Sequence, residues 1–365
     1  MKAMVLEDKG QLTYTDVPEP EVVGPRSVLV RIAAVGVCGS DILRFAKGKA
    51  YHYPLILGHE FSAVVEEAPV DSRFKRGDRV AVFPLLPDPR DPFSRIGEYA
   101  VSSGYDYFGS RRDGAFAERL WVPEDNLIPV PDDVPLVHAA CVEPAAVALH
   151  AMLKLRIRAN ATALVIGGGP IGAFAAQWLR ILGCSRVLVA DIDGRKLDIM
   201  RDLGFEVIDA ANQDTVAAAK ETTGGRGVDC SVEASGLPAT FLQALQAAAV
   251  FGQVMLLGDL SGDVTLPAPL VSSVLRRELT LYGTWNSKIT PPGNSEWEMV
   301  LRHMGHDLQV APLVSHTPAL SDGPQMFADM ASRRAWYNKV VFAIAEEARA
   351  EAEAGVVLSA ALAQG

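Results

Sequence analysis

An apolar run at 163–166, Ala-Leu-Val-Ile, leads straight into Gly167-Gly-Gly169-Pro170-Ile171-Gly172 and then into an Ala/Leu-rich segment over 171–182. The pattern G-x-G-x-x-G arises often by chance. A strand before it and a helix after it give it meaning. Gly167 permits the tight turn, Gly169 lets the backbone approach a pyrophosphate, and Gly172 lets helix and strand pack closely. Pro170 and Ile171 open the helix, whose unpaired N–H groups and positive dipole end suit phosphates. Asp191 closes the next apolar run, about 20 residues on, where a carboxylate accepts the ribose 2′-OH and repels a 2′-phosphate. That favours NAD over NADP, although Arg195 and Lys196 are close enough in sequence to soften the repulsion. The alternative for Asp191 is a turn or helix-capping role.

The segments around this motif set the fold class. Apolar runs at 186–190, 228–232 and 253–257 alternate with helix-like stretches at 195–203 and 241–249, as in a doubly wound parallel sheet. Before it, 28–37 and 79–83 are short β-rich runs bounded by Gly, Pro and Asp. After 279–284 the alternation stops, and 339–344 reads as a strand again. The expected organisation is α/β plus β: a mainly β catalytic domain over 1–155, continued by 285–345, and a Rossmann domain over 156–284. The tail, 346–365, reads as a helix, a frayed end or a contact arm.

Four residues of the first part carry metal chemistry. Catalytic zinc takes three protein ligands and keeps a fourth position for water or substrate. Cys38 offers a thiolate and follows an apolar strand. His59 and Glu60 follow Gly58 at the end of Pro54-Leu-Ile-Leu57. Glu143 lies in the apolar stretch Cys141-Val-Glu143-Pro144, where an unpaired charge is costly. Glu60 and Glu143 both remain candidates for the carboxylate position. Ser40 is placed to take a proton from a metal-bound hydroxyl, and Asp41 reads as a second helper or a helix cap.

At 365 residues the chain exceeds one ordinary core. A formal charge of −10 with no basic stripe argues against a nucleic-acid partner. No apolar stretch has membrane-spanning length, the start Met1-Lys-Ala-Met lacks a signal-peptide core, and the four cysteines have no paired spacing. A cytoplasmic protein with reduced thiols is expected.

With these residues in hand, the chain resembles the zinc-dependent medium-chain dehydrogenase/reductase family, in its polyol branch. The likeness runs from Met1 to about Ile344. It is most specific at Cys38-Gly-Ser-Asp41, Tyr53-Pro-Leu-Ile-Leu-Gly-His-Glu60, Tyr105-Asp-Tyr-Phe-Gly-Ser-Arg-Arg-Asp-Gly114, Glu143-Pro144, and Leu275-Arg-Arg-Glu-Leu-Thr280 with Gly283-Thr-Trp285. The Gly-Ser-Arg-Arg-Asp-Gly run is closer to relatives acting on phosphorylated polyols than to sorbitol dehydrogenases.

The resemblance implies a GroES-like catalytic domain, a Rossmann domain with a cleft between them, and a homodimer or homotetramer. It also implies zinc- and NAD-linked oxidation of a secondary hydroxyl. Arg44, Arg111 and Arg112 are the substrate candidates, for a polyol or its phosphate. The arginines can equally be solvated, or paired with Asp106 and Asp113.

Two departures stand out. Relatives carry a second, structural zinc on four cysteines; here those positions are Asp88, Asp91, Ser94 and Ser102. One zinc per chain is therefore expected, with the lobe held by pairs such as Asp88 or Asp91 with Arg90 or Arg95. Where many alcohol dehydrogenases have a proton-relaying histidine, this chain has Leu43. The competing readings are a zinc-free reductase, a dehydrogenase of another secondary alcohol, and a non-catalytic dinucleotide binder.

Overall fold

The computed structural model describes residues 1–24 and 26–362, so the last three residues of the 346–365 tail lie outside it. The chain divides into two compact units. The first comprises Met1–Glu143, Lys288–Gly305 and the segment from Val314 onward; the second comprises Pro144–Ser287 and His306–Leu313.

In the first unit, β1 (Lys2–Asp8) and β2 (Gln11–Asp16) form an antiparallel hairpin. The ten-residue β3 (Ser27–Gly36) follows, then helix α1 (Gly39–Lys47) and β4 (Leu55–Ile56), which pairs with β1. β5 (Glu60–Glu67) and β6 (Arg79–Val82) lie side by side, and β7 (Leu85–Leu86) pairs with β8 (Asp106–Tyr107). β9 (Arg119–Pro123) and β10 (Leu127–Pro129) complete this stretch before helix α2 (Leu136–Ala139) and the start of α3 (Val142–Leu153). β3 is the hub, because β-branched and Ala residues fill it and nearly all are buried. A strand covered on both faces reads as such a run. Its core partners include Met4, Leu6, Phe61, Phe116 and Phe342. Phe116 packs edge-on to Phe327 and Phe342, both at 5.5 Å between centroids.

The second unit contains six parallel strands and the helices between them. These are β11 (Thr162–Ile166), α4 (Pro170–Ile181), β12 (Arg186–Asp191), α5 (Gly194–Asp202), β13 (Glu206–Asp209), α6 (Thr215–Thr222), β14 (Val228–Glu233), α7 (Pro238–Ala247), β15 (Ala248–Leu256), α8 (Ala268–Arg276) and β16 (Thr280–Gly283). The spatial order is β13-β12-β11-β14-β15-β16. This is the doubly wound sheet expected from the alternation, with its switch point between β11 and β14. The sequence reading carried the helix through Ala249 and started the strand at 253, whereas the strand starts at Ala248. The ladder to β14 and the Arg277 guanidinium on the Ala248 carbonyl override the helical propensity of the alanines.

The chain then returns to the first unit through α9 (Glu296–His303), β17 (Val314–His316), α10 (Gly323–Ser332), β18 (Lys339–Ala343) and α11 (Glu346–Leu362). β18 joins β3 with Val341 opposite Gly36, so the seven-stranded sheet needs residues from both ends of the sequence. Helix α11 is fastened by Arg31 on both Glu347 oxygens, at 3.0 and 2.8 Å, and by Arg79 on Glu351 at 3.3 Å.

At the turn after β11, Gly167 has φ +114°, and a Cβ at Gly172 would stand 1.8 Å from the Gly167 carbonyl oxygen. Gly172→Ala is expected to lower the stability of this unit by about 1–3 kcal/mol through overpacking against backbone. Urea unfolding followed by fluorescence checks this. An unchanged midpoint would show that the turn relaxes freely.

Candidate functional site

The sequence puts Cys38 at the end of β3, where the chain turns into α1. Cys38 is the N-cap residue, and its backbone N–H donates to Asp41 Oδ2 at 3.1 Å. Asp41 is thus a cap, as one reading had it, but it is wholly buried and does more. Its other oxygen lies 3.4 Å from His59 Nδ1 and 3.3 Å from the Arg44 guanidinium. Ser40 accepts a hydrogen bond from Arg44 Nη1 at 2.8 Å, one helical turn on.

His59 and Glu60 are fixed by the approach of another loop. Gly114 N–H donates to the Ile56 carbonyl, Ala115 N–H to Gly58 and Phe116 N–H to Leu57. A Cβ at Gly109 or Gly114 would fall 2.4 or 2.2 Å from the Gly58 carbonyl oxygen. The two glycines of the Gly-Ser-Arg-Arg-Asp-Gly run therefore let backbone press on backbone directly beside His59.

The ligand atoms of Cys38, His59 and Glu60 all lie within 4.8 Å of one another, the one such convergence of His, Cys, Asp and Glu among the described residues. His59 and Glu60 are buried, and His59 Nδ1 makes no hydrogen bond. A thiol, an imidazole and a carboxylate form a donor set suited to zinc in a site that keeps a position open. Burial disfavours the imidazolium, but the Asp41 carboxylate outweighs it and raises the His59 pKa well above its usual value. Glu143 stands just outside the three. It is buried, accepts the Tyr107 hydroxyl at 3.2 Å, and burial pushes its pKa up to about 7.

The sequence reading missed two partners. Lys339, on β18, buries its ammonium against the Glu60 carboxylate and donates to the Val37 carbonyl at 3.0 Å. Burial works against its charge, but Glu60 holds its pKa above the ordinary lysine range. Only the position of Lys339 at the head of an apolar strand hinted at burial. Tyr107 sets its ring edge-on to His59, 5.7 Å between centroids.

In the second unit, Asp191 ends β12 and turns back onto the glycine turn. Its Oδ2 accepts Gly168 N–H at 2.6 Å and its Oδ1 accepts Asp193 N–H at 2.9 Å. Gly169 caps α4, with Pro170 and Ile171 in its first turn. Arg195 is largely exposed and lies 3.4 Å from Asp193, whereas a Cβ at Gly169 would lie 4.0 Å from the Lys196 ammonium nitrogen.

The substrate candidates separate. Arg44 sits with Ser40 and Asp41. Arg111 stacks over Tyr105 at 4.1 Å and Tyr51 at 5.3 Å and donates to the Tyr105 carbonyl. Arg112 pairs with Asp106 at 3.3 Å, while Asp113 accepts Ile56 N–H instead of an arginine. In the cysteine-free lobe, Asp88 pairs with Arg90 as expected. The expected pairing of Asp91 is corrected. Asp91 takes backbone N–H groups of Phe93, Ser94 and Ser103 and the Ser103 hydroxyl, because the turn presents donors that an arginine would have to displace. Arg95 reaches the Pro89 carbonyl.

A converging Cys/His/Glu set in one unit and a parallel dinucleotide-type sheet in the other are the two marks of the zinc-binding dehydrogenases. The family model described as alcohol dehydrogenase GroES-like domain matches residues 24–132, and that described as zinc-binding dehydrogenase matches 170–305. Galactitol 1-phosphate 5-dehydrogenase of Escherichia coli (strain K12) is 33% identical over 347 residues, covering 93% of this chain and 99% of that protein. The crystal structure of galactitol-1-phosphate dehydrogenase from Escherichia coli superposes with TM-score 0.88 at 32% identity, covering 94% of this chain and all of the other. A structure from Sinorhizobium meliloti 1021 bound to NADP gives TM-score 0.84 at 28% identity, with 94% and 98% covered. The chain belongs to the zinc-dependent medium-chain dehydrogenase/reductase family, in its polyol branch, and is an oxidoreductase. The expected GroES-like plus Rossmann fold is borne out.

Replacing Lys339 by Met leaves the Glu60 carboxylate buried without its cation. Breaking a buried pair on one side costs about 3–5 kcal/mol, and removing both charges costs much less. Urea denaturation of Lys339→Met and of Lys339→Met/Glu60→Gln is expected to show a large loss and substantial recovery. Equal losses would deny the pair.

Proposed function

We propose that the protein catalyses the reversible, NAD-linked oxidation of a secondary hydroxyl of a polyol or polyol phosphate to the ketose. Cys38 and His59 hold one zinc per chain, with Glu60 or Glu143 as the carboxylate. The observation that carries this reading is the approach of the Cys38, His59 and Glu60 donor atoms to within 4.8 Å. The lobe without cysteines supports a single zinc, since Asp and Ser do not make the closed thiolate shell of structural sites. Asp191 supports NAD, because a carboxylate there opposes a 2′-phosphate. The NADP-bound relative makes cofactor preference a point to measure. The family likeness supports a homodimer or homotetramer in the cytoplasm, with a small-molecule substrate. Membrane and nucleic-acid partners are not expected. Among the described residues no helix is long and apolar enough to cross a membrane.

When bound, zinc supplies Lewis acidity that makes a coordinated hydroxyl far more acidic, and NAD supplies the hydride acceptor. The residues of the chain do the rest. Ser40 Oγ receives the hydroxyl proton. Arg44, donating to that oxygen, fixes its orientation and leaves a lone pair for the proton. Asp41 holds His59 and the start of α1 together, so the imidazole and the thiol keep their separation. Leu43 offers no group to carry the proton on from Ser40; the ribose hydroxyls of a bound cofactor would supply that onward step.

The galactitol 1-phosphate relative supports a phosphorylated polyol, with Arg44, Arg111 and Arg112 as phosphate candidates. A second reading has a specific observation in its favour. Arg112 already carries a carboxylate and Arg111 is stacked between rings, which favours an unphosphorylated polyol.

Purified protein is expected to hold about one zinc per chain. His59→Ala should lose both the metal and NAD-linked turnover, and a chelator should abolish turnover reversibly. Metal analysis and NADH absorbance over galactitol 1-phosphate, galactitol, sorbitol and xylitol test this. Wild-type turnover and zinc content in His59→Ala would end the proposal, and equal kcat/KM for free and phosphorylated polyols would remove phosphate recognition. Asp191→Ala is expected to raise KM for NAD and narrow the preference over NADP. An unchanged cofactor ratio would assign Asp191 to the turn alone.

A further inference from the structure

Three arginines lie on the segments that position Cys38 and His59, and two of them are already committed. Arg44 serves Ser40 and Asp41. Arg112 pairs with Asp106 at 3.3 Å. Arg111 is half-buried and, among the described residues, pairs with no carboxylate; its guanidinium donates to the Tyr105 carbonyl. It packs over two aromatic rings, Tyr105 at 4.1 Å and Tyr51 at 5.3 Å. Ring contacts engage the flat surface of a guanidinium and leave its edge, where the N–H donors are, for an oxygen ligand. The two segments of this clamp are tied together by His52. Its ring nitrogens lie 3.1 Å from the Pro54 carbonyl oxygen and 3.2 Å from that of Arg111. A cation fixed in this way loses little side-chain freedom on binding.

Rings connect the clamp to the candidate metal centre. Tyr105 meets Tyr107 at 6.2 Å between centroids, and Tyr107 meets His59 at 5.7 Å. At the other end Tyr51 is 66% exposed, so the run opens to solvent. The formal charge of −10 repels an anion at long range, so a cation without a counter-ion of its own is where one can be held.

We propose that Arg111, clamped by Tyr51 and Tyr105, is the specificity-determining residue that receives an anionic group at the end of the substrate remote from the hydroxyl oxidised beside His59. The substrate class is then a polyol bearing a terminal phosphate or carboxylate, since a planar fork suits either oxyanion. The proposal rests on the reading of the site as a zinc- and NAD-linked polyol dehydrogenase. It goes beyond that reading by assigning recognition to one arginine of the three and by requiring charge on the substrate.

The test uses the full-length, zinc-loaded protein. kcat/KM is measured for galactitol 1-phosphate, galactonate and galactitol, with NAD and with NADP, at fixed ionic strength. Isothermal titration calorimetry of the same three compounds reads recognition apart from turnover. Circular dichroism and urea midpoints establish that each variant is folded. Wild-type protein is expected to prefer at least one anionic compound over galactitol; the preferred one identifies the terminus as phosphate or carboxylate. Arg111→Gln is expected to lower that preference about 10–100-fold through the loss of charged hydrogen bonds. Arg111→Lys recovers only part of it, because an ammonium keeps the charge and loses the fork. Tyr105→Leu is expected to lower the preference about 2–5-fold, and to add nothing in the Arg111→Gln background, since the ring acts through the guanidinium. Arg112→Gln lowers it less than Arg111→Gln does. An unchanged preference in Arg111→Gln, an equal loss in Arg112→Gln, or wild-type rates on galactitol matching those on both anions would overturn the proposal. In each of these cases turnover of a polyol persists and the reading of the site stands. Wild-type protein that turns over none of the three with either cofactor would overturn that reading, and the proposal with it.

Discussion

The ion pair between Glu60 and Lys339 joins strands whose residues are separated by most of the sequence, and it does so where solvent does not reach. Glu60 opens β5 opposite Gly36 of β3, and Lys339 opens β18, which pairs with the same end of β3. A carboxylate at that depth, among Cys38, His59 and Cys141, is tolerable only with a cation beside it. Burial pushes the Cys141 thiol up to about 12, so that neighbour remains neutral and offers no compensation. The Lys339 ammonium supplies such a cation, so completion of the sheet by the C-terminal segment contributes to the geometry around Glu60 and its neighbour His59.

The same economy governs the second constraint on His59. Three glycines from two loops let backbones meet, and the hydrogen bonds formed there leave the imidazole little freedom to move along the chain. The Asp41 carboxylate lies 3.4 Å from the ring's Nδ1, and the Tyr107 ring stands edge-on to it. None of these contacts is made by the thiol, the imidazole or the carboxylate with one another. The candidate metal centre is shaped by its surroundings: the placement of Cys38 and His59 is inherited from a capping box, a backbone contact and an aromatic edge.

How far this was legible in the sequence follows from range. Local signals were readable: the strand–glycine–helix order at 163–182, the Cys38 corner, and the β-rich runs that became β3 and β6. The doubly wound sheet followed from alternation alone. The convergence of Cys38 with His59 was inferred from residue chemistry and a family likeness, since spacing along the chain carries no distance. Lys339 was invisible because a lysine at a strand start normally points to solvent. Tyr107 was quoted only as part of a motif, since nothing in a tyrosine's neighbours announces a carboxylate partner 36 residues on. Asp91 was assigned a charge partner because oppositely charged residues were close by, whereas a tight turn offers backbone donors at no entropic cost for ordering a long side chain. Short helices such as α6 were also missed, as alanine-rich stretches without an apolar stripe give little periodicity.

The lobe between β7 and β8 has Asp88, Asp91, Ser94 and Ser102 where zinc-bearing relatives have cysteines, and its own contacts hold it. Four cysteines around zinc would make a closed crosslink independent of neighbouring structure, and the two aspartates and two serines at those positions do not make it. Here the inside of the lobe is organised by one carboxylate, Asp91, gathering three backbone N–H groups and a hydroxyl, while Ser94 Oγ is buried without a hydrogen bond. The outside is tied to the segment that includes α9. Phe83 packs against Tyr99 at 6.4 Å and against Trp297 at 5.5 Å, Lys288 meets Glu98, and Thr290 donates to the Gly97 carbonyl. The lobe is thus held by contacts distributed over the first unit. Because β8 leads out of this lobe and carries Tyr107, the lobe's packing reaches the candidate metal centre through one short strand. Loosening the lobe would be felt at Glu143 through Tyr107, whereas Cys38 is held by the start of α1 and by Asp41.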